Sequence, residues 1–181
     1  NRLVELKGFG AKTQEAVKNS IEFIISSAGK FHYAAVEGIA LNKVEELKRA
    51  YHTEFVSLTG AVRRKCEIIE KIEILVASEQ LSSSELESSV LPIHIIQCKP
   101  ENFFHSLFIT SANTNHLTRF SNNPELLVEM QNSASEENIY SLYNSPFIVP
   151  EMREGIFEFE WHKHHSGSDL IEMKDLRGIL H

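Results

Sequence analysis

Cysteine is scarce in this chain: Cys66 and Cys98 are the only two in 181 residues. So sparse a pair gives no disulfide framework, and two isolated thiols read as free and reduced, which points to the cytoplasm. Long apolar runs are missing too. No stretch approaches the roughly 18 residues of a membrane span, and the N-terminus has no signal-peptide pattern, so no membrane partner is expected. There is no internal repeat and no low-complexity tract. An overall basic excess is also absent, since the net charge is -7. That argues mildly against nucleic acid, but phosphate binding depends on local basic patches and not on the total. The distribution is uneven. Residues 1–30 carry five basic residues (Arg2, Lys7, Lys12, Lys18, Lys30) against three Glu, whereas Ser121 to Ser141 carries four Glu and no Lys or Arg. Any DNA is therefore expected at the N-terminal half.

What is present is ordinary for a globular protein: 42% hydrophobic and 24% charged residues. The length suits one domain or two small ones. The chain opens on Asn1 and stops at His181, and it reads as a piece of a longer protein.

The hydrophobic period changes along the chain. Ala11 to Ser27 reads as a helix with Ala16, Val17, Ile21, Ile24 and Ile25 as its apolar stripe, after a helical turn at Leu3 to Lys7. Phe31 to Tyr51 reads as a second helix. Glu54–Thr59, Lys71–Ala77 and Leu91–Gln97 read as strands, the second with Ile72, Ile74 and Val76 on one face and Lys71, Glu73 and Leu75 on the other. Ser78–Ser89 reads as a polar loop or short helix. Phe103–Ile109, Asn115–Phe120 and Glu136–Tyr143 read as short helices. Extended pieces are expected at Ile156–Trp161 and Leu170–Met173 in an irregular tail. The pattern as a whole is α+β.

Leu6-Lys7-Gly8-Phe9-Gly10-Ala11-Lys12-Thr13 is a tight bend between two helices. Two glycines flanking one apolar residue let the backbone turn sharply. The amides that follow open a helix and attract phosphate, and Lys12 adds charge. The segment resembles the helix-hairpin-helix motif of DNA repair proteins, a sequence-independent grip on the DNA backbone. Gly8, Gly10, Lys12 and Thr13 are its expected DNA contacts. The resemblance also implies a monovalent cation bridging the loop carbonyls to phosphate. An ordinary helix–turn–helix connection is the alternative.

Thr59-Gly60-Ala61-Val62-Arg63-Arg64 followed by Lys71-Ile72-Glu73-Ile74-Leu75-Val76 resembles the nucleotidyltransferase signature of the bacterial-type family X DNA polymerases. There, Gly-Ser and two Arg precede Asp-x-Asp on a strand. Lys99-Pro100-Glu101-Asn102-Phe103, His116, Asn138-Ile139-Tyr140, and Pro146 through Glu154 resemble later family segments in the same order. Asp175 through His181 resembles the lead-in to the PHP phosphoesterase domain that follows in bacterial members. The resemblance implies a helix-hairpin-helix segment over 1–30, a palm-like nucleotidyltransferase fold over 31–110, a thumb-like region over 111–155 and a linker toward a PHP domain over 156–181.

The family's chemistry needs two divalent ions about 3.5–4 Å apart, held by carboxylate oxygens. On the alignment its three Asp fall on Lys71, Glu73 and His94. Lys71 puts an ammonium where Mg²⁺ would sit and can pair with Glu73 on the same face. His94 is a poor Mg²⁺ ligand. The family Ser falls on Ala61, and its Thr-Gly-Ser-Lys turn on Ser111-Ala112-Asn113-Thr114. No catalytic residue, metal or cofactor is therefore expected here, and no templated nucleotide addition. Gly60, Arg63 and Arg64 remain as expected phosphate contacts, against an ion-paired surface. The partners implied are DNA and the PHP domain. One alternative is an active enzyme with shifted ligands Glu67, Glu70 and Glu73; another is a scaffold without DNA affinity.

The remaining candidates read as structural. His162, His164 and His165 with Glu158 and Glu160 match no zinc spacing and read as a flexible polar tail. His105 and His116 read as packing or hydrogen-bonding residues. Lys65 beside Cys66 could lower the thiol's pKa, but no partnered base accompanies it. Phe103, Phe104, Leu107 and Phe108 read as core.

Overall fold

A computed structural model describes residues 10–79, 84–86, 91–120 and 124–178. In chain order the elements are α1 (Ala11–Ser27), β1 (Phe31–His32), α2 (Tyr33–Tyr51), β2 (Val56–Thr59), α3 (Gly60–Arg63), β3 (Ile68–Ile69), β4 (Ile72–Ala77), β5 (Ser84–Leu86), β6 (Ile93–Cys98), α4 (Phe103–Ser111), α5 (Thr114–Leu117), α6 (Pro124–Gln131), α7 (Glu136–Leu142) and α8 (Glu158–Trp161). The α+β class is as expected. The strand order of the main sheet is β2-β4-β6-β5. β4 runs antiparallel to β2 and parallel to β6, and β5 closes the edge antiparallel to β6. β1 and β3 form a separate two-stranded ribbon.

β4 is covered on both faces, which is why its apolar run is nearly continuous. Ile72, Ile74 and Val76 pack against Val36, Ala40, Val44 and Leu47 of α2, whose spacing of four, four and three residues makes a single stripe. On the opposite face Leu75 and Ala77 pack with Phe103 and Leu107 of α4. α4 then carries Phe108 into a third cluster with Phe120, Met130, Ile139, Tyr140 and Ile148. One helix therefore joins the sheet to the C-terminal helices.

Several expectations need correction. The helix expected from Phe31 begins at Tyr33, because Phe31 and His32 pair with Ile69 and Ile68. Inside the serine-rich stretch, Ser84–Leu86 is a strand, held in register by β6. α6 was not expected; Pro124 opens it, where a missing N–H costs nothing. Ile156–Trp161 is not extended, since Glu158 to Trp161 form α8. No strand forms at Leu170–Met173; the chain instead makes a 3₁₀ turn at Met173–Asp175. The apolar stripe of α1 forms but lies open among the described residues, with Ile21, Ile24 and Ile25 52–68% exposed.

Candidate functional site

The sheet brings Lys71, Glu73 and His94 together. Glu73 is opposite Thr59 on β2 and opposite His94 on β6, so it sits between them in the register. Lys71 Nζ lies 2.7 Å from Glu73 Oε1. The other carboxylate oxygen rests over Gly60, where an added Cβ would come within 2.0 Å of Glu73 Oε2. Gly60 also has a φ of +63°, a left-handed conformation that glycine adopts freely. Its position is thus doubly constrained, by its backbone and by Glu73. Glu73's charge is met by an ammonium and His94 stands beside it. No group of three or more His, Cys, Asp or Glu is placed to hold a metal ion among the described residues. Glu67 and Glu70 flank β3, which belongs to the other sheet, and both are exposed. They do not converge with Glu73.

Arg63 and Arg64 lie on or just after α3, with both Nη groups of Arg63 and the Nε of Arg64 engaged. Arg63 Nη2 donates to Glu136 in a short contact, while Nη1 donates to Glu136 Oε1 at 3.0 Å and to Ser111 Oγ at 2.8 Å. Arg64 Nε donates to Glu154 Oε1 at 2.7 Å. The next residue, Lys65, pairs with Glu151 Oε1 at 2.9 Å. Three consecutive cations between β2 and β3 are therefore clasped by three carboxylates from the C-terminal part. A phosphate reaching the Nη groups of Arg63 would have to displace Glu136. Glu136 also accepts from Arg153, which is fully buried. Burial alone would raise the Glu136 pKa; the Arg63 hydrogen bond and the Arg153 charge outweigh it and hold the carboxyl below its ordinary value. Arg153 Nη2 has no hydrogen-bond partner. Its guanidinium is instead surrounded by rings, 5.4 Å from the centroids of Tyr140 and Phe147 and 5.6 Å from that of Phe108.

A second buried network was hidden in the tail. Glu158 is 1% exposed. One of its oxygens accepts from Gly155 N at 2.6 Å and the other from Ile156 N and Phe157 N at 2.9 and 3.1 Å. The carboxylate also meets His116 Nδ1 at 2.7 Å, and His116 Nε2 meets Tyr140 Oη at 2.9 Å. Burial pushes the His116 pKa down, and the Glu158 hydrogen bond does not restore it. Burial opposes ionisation of Glu158, but His116 and the backbone donors hold its carboxyl low. A neutral imidazole that donates from Nδ1 to a carboxylate and accepts the tyrosine hydroxyl at Nε2 fits every contact. His116 is structural, as expected. Glu158 is not part of a flexible polar tail, because buried donors fix it. Gly155 closes the turn: a Cβ there would come within 2.5 Å of Asn115 and His116 backbone atoms.

At the N-terminus, Gly8 falls outside the described residues. Gly10 caps α1 with an extended φ of -91°, and a Cβ there meets nothing within 4 Å. Lys12 and Thr13 lie exposed in the first turn. Cys66 departs from expectation: burial pushes its thiol up, and the Arg64 charge does not reverse this. Tyr140, Arg153 and Glu154 lie in segments with a family likeness, and nothing beside them in the sequence names their partners. The acidic residues at 136, 151 and 154 carry no local signal that they answer 63 to 65.

No protein-family model matches the chain, and no curated protein matches it. Among the described residues, no helix is long and apolar enough to cross a membrane.

Proposed function

We propose that the chain is the DNA-binding core of a family X DNA polymerase-like protein of DNA repair, one that does not itself add nucleotides and that positions DNA for a PHP phosphoesterase domain. The observation that carries the reading is the Lys71–Glu73 ion pair at 2.7 Å, beside His94 in the β4–β6 register. On the alignment this is the place of the two-metal centre. An ammonium already neutralises the one carboxylate there, and a divalent ion arriving beside it meets like charge and an imidazole in place of oxygen donors.

DNA contact is assigned to the start of α1, where Lys12 and Thr13 are exposed and the first helical amides face no side-chain cap. A gap-filling assay with Mg²⁺ or Mn²⁺ tests the first half. The expected result is no extension above background, and robust extension overturns it. Binding to gapped duplex at several salt concentrations tests the second half. Reversing one phosphate-contacting charge in Lys12→Glu is expected to lower the logarithmic salt slope by roughly 1 to 2, and Gly10→Asp to weaken binding. A wild-type chain without salt-dependent affinity is a scaffold, and the DNA reading falls.

A further inference from the structure

Two open grooves, of about 300 and 320 Å³, share Arg119, Phe159 and Lys163. Arg119 lies in the 3₁₀ turn Thr118–Phe120 and is exposed. Its guanidinium carbon is 4.7 Å from the centroid of the Phe159 ring. That ring is stacked in turn on buried His116, at 4.8 Å and 24°. Phe159 therefore carries the guanidinium on a base anchored in the core. A stacked guanidinium keeps its N–H edge available for a planar or tetrahedral anion. Arg119 donates to no carboxylate among the described residues. Glu160 is near enough to feel its charge but is hydrogen-bonded to Lys163. The second groove has no acidic residue in its lining, and Asn144, Ser145 and His162 stand there with the two cations. His162 Nε2 is buried without a hydrogen-bond partner. Burial holds this imidazole's pKa down against the His165 backbone and the Glu158 charge, and an anion in the groove would act in the same upward direction as these two.

We propose that this groove binds a phosphate group, with Arg119 as the principal donor and Lys163, turning to it from its exposed pair with Glu160, as the second cation. The site is separate from the start of α1 and does not depend on what α1 contacts. The phosphate belongs either to a free nucleotide or to a nucleic-acid strand. NMR of the full chain titrated with inorganic phosphate tests the proposal. Saturable shifts are expected at the Arg119 Nε–H and at the His162 ring, with an upward move of the His162 titration midpoint. Arg119→Ala is expected to weaken binding at least about ten-fold. Arg119 is exposed, so this variant should melt with the wild type. Absence of saturation at millimolar phosphate, or shifts that persist unchanged in Arg119→Ala, overturns the proposal. A 5′-phosphorylated oligothymidylate and thymidine 5′-monophosphate, each against its unphosphorylated counterpart, identify the source. Tighter binding of the phosphorylated strand than of thymidine 5′-monophosphate assigns a nucleic acid, and binding no tighter than the mononucleotide assigns a nucleotide. Normal binding of gapped duplex by Arg119→Ala alongside lost phosphate shifts separates this site from the one on α1.

Discussion

Replacing Glu136 with glutamine keeps the size of the side chain and removes one negative charge from between two cations. The Glu136 side chain is 7% exposed, that of Arg63 18% and that of Arg153 0%. The amide's carbonyl can still accept from one guanidinium, but its NH₂ group then faces the other, donor against donor. Breaking a buried ion pair by removing one partner costs about 3–5 kcal/mol, because the partner's charge stays buried and uncompensated. For a chain of this length each kcal/mol moves the midpoint by about 2–4 °C, so Glu136→Gln should melt roughly 6–20 °C below the wild type. Glu154→Gln is the internal control. The Glu154 side chain is 32% exposed, and its pair with Arg64 should be worth no more than about 1 kcal/mol. The pH dependence adds a signature. The Glu136 carboxyl is held below its ordinary value of 4.5, so its stabilisation is complete above that pH and lost as pH falls through the folded-state pKa. The gap between wild type and Glu136→Gln should therefore narrow in acid. Calorimetric melts at pH 7 and below decide the matter. If Glu136→Gln melts no lower than Glu154→Gln, the buried clasp is not what holds these elements together.

Other outcomes follow from the same contacts. Gly60→Ala should cost about 1–2 kcal/mol from the left-handed φ, and its Cβ should push the flexible end of Glu73 away from Lys71. Urea denaturation reads the cost, and a wild-type midpoint would refute the strain. His116 stays neutral when folded because burial lowers its pKa from the ordinary 6.5, whereas the unfolded chain takes up a proton there. Stability should therefore fall as pH drops through 6.5, with a shallower slope in His116→Gln; equal slopes would refute the assignment. Tyr140→Phe leaves His116 Nε2 without its hydroxyl and should cost about 1–3 kcal/mol in the same melts.

The hydrophobic period revealed most regular elements. The alternation of β4 is a local pattern and formed where expected, whereas the buried stripe of α2 is Val36, Ala40, Val44 and Leu47, and the apolar Ile39 and Leu41 lie exposed. Ile156 to Trp161 shows where that reading fails. Its alternating Phe and Glu look like a strand, yet the Glu158 carboxylate captures three neighbouring amides and coils the segment into a turn. β5 is only three residues long and depends on β6 for its pairing, so nothing within it announces a strand. The alternation of β4 put Lys71 and Glu73 on one face, while His94 joined them only on the expected resemblance and lies opposite Glu73 in the register. The partners of Arg63, Arg64 and Lys65 were not legible, because they lie 73 to 90 residues away and a charge run gives no address for its answering charges.

The triple clasp also bears on how the chain can be divided. A fragment ending ahead of residue 150 keeps the sheet and α2 but strips Arg64 and Lys65 of their counter-charges at once. It also removes Arg153, leaving Glu136 with Arg63 alone. Arg63 to Lys65 and the segment from Pro150 to Glu158 behave as two halves of one fastening. Experiments that dissect this protein should cut after that segment and not before it.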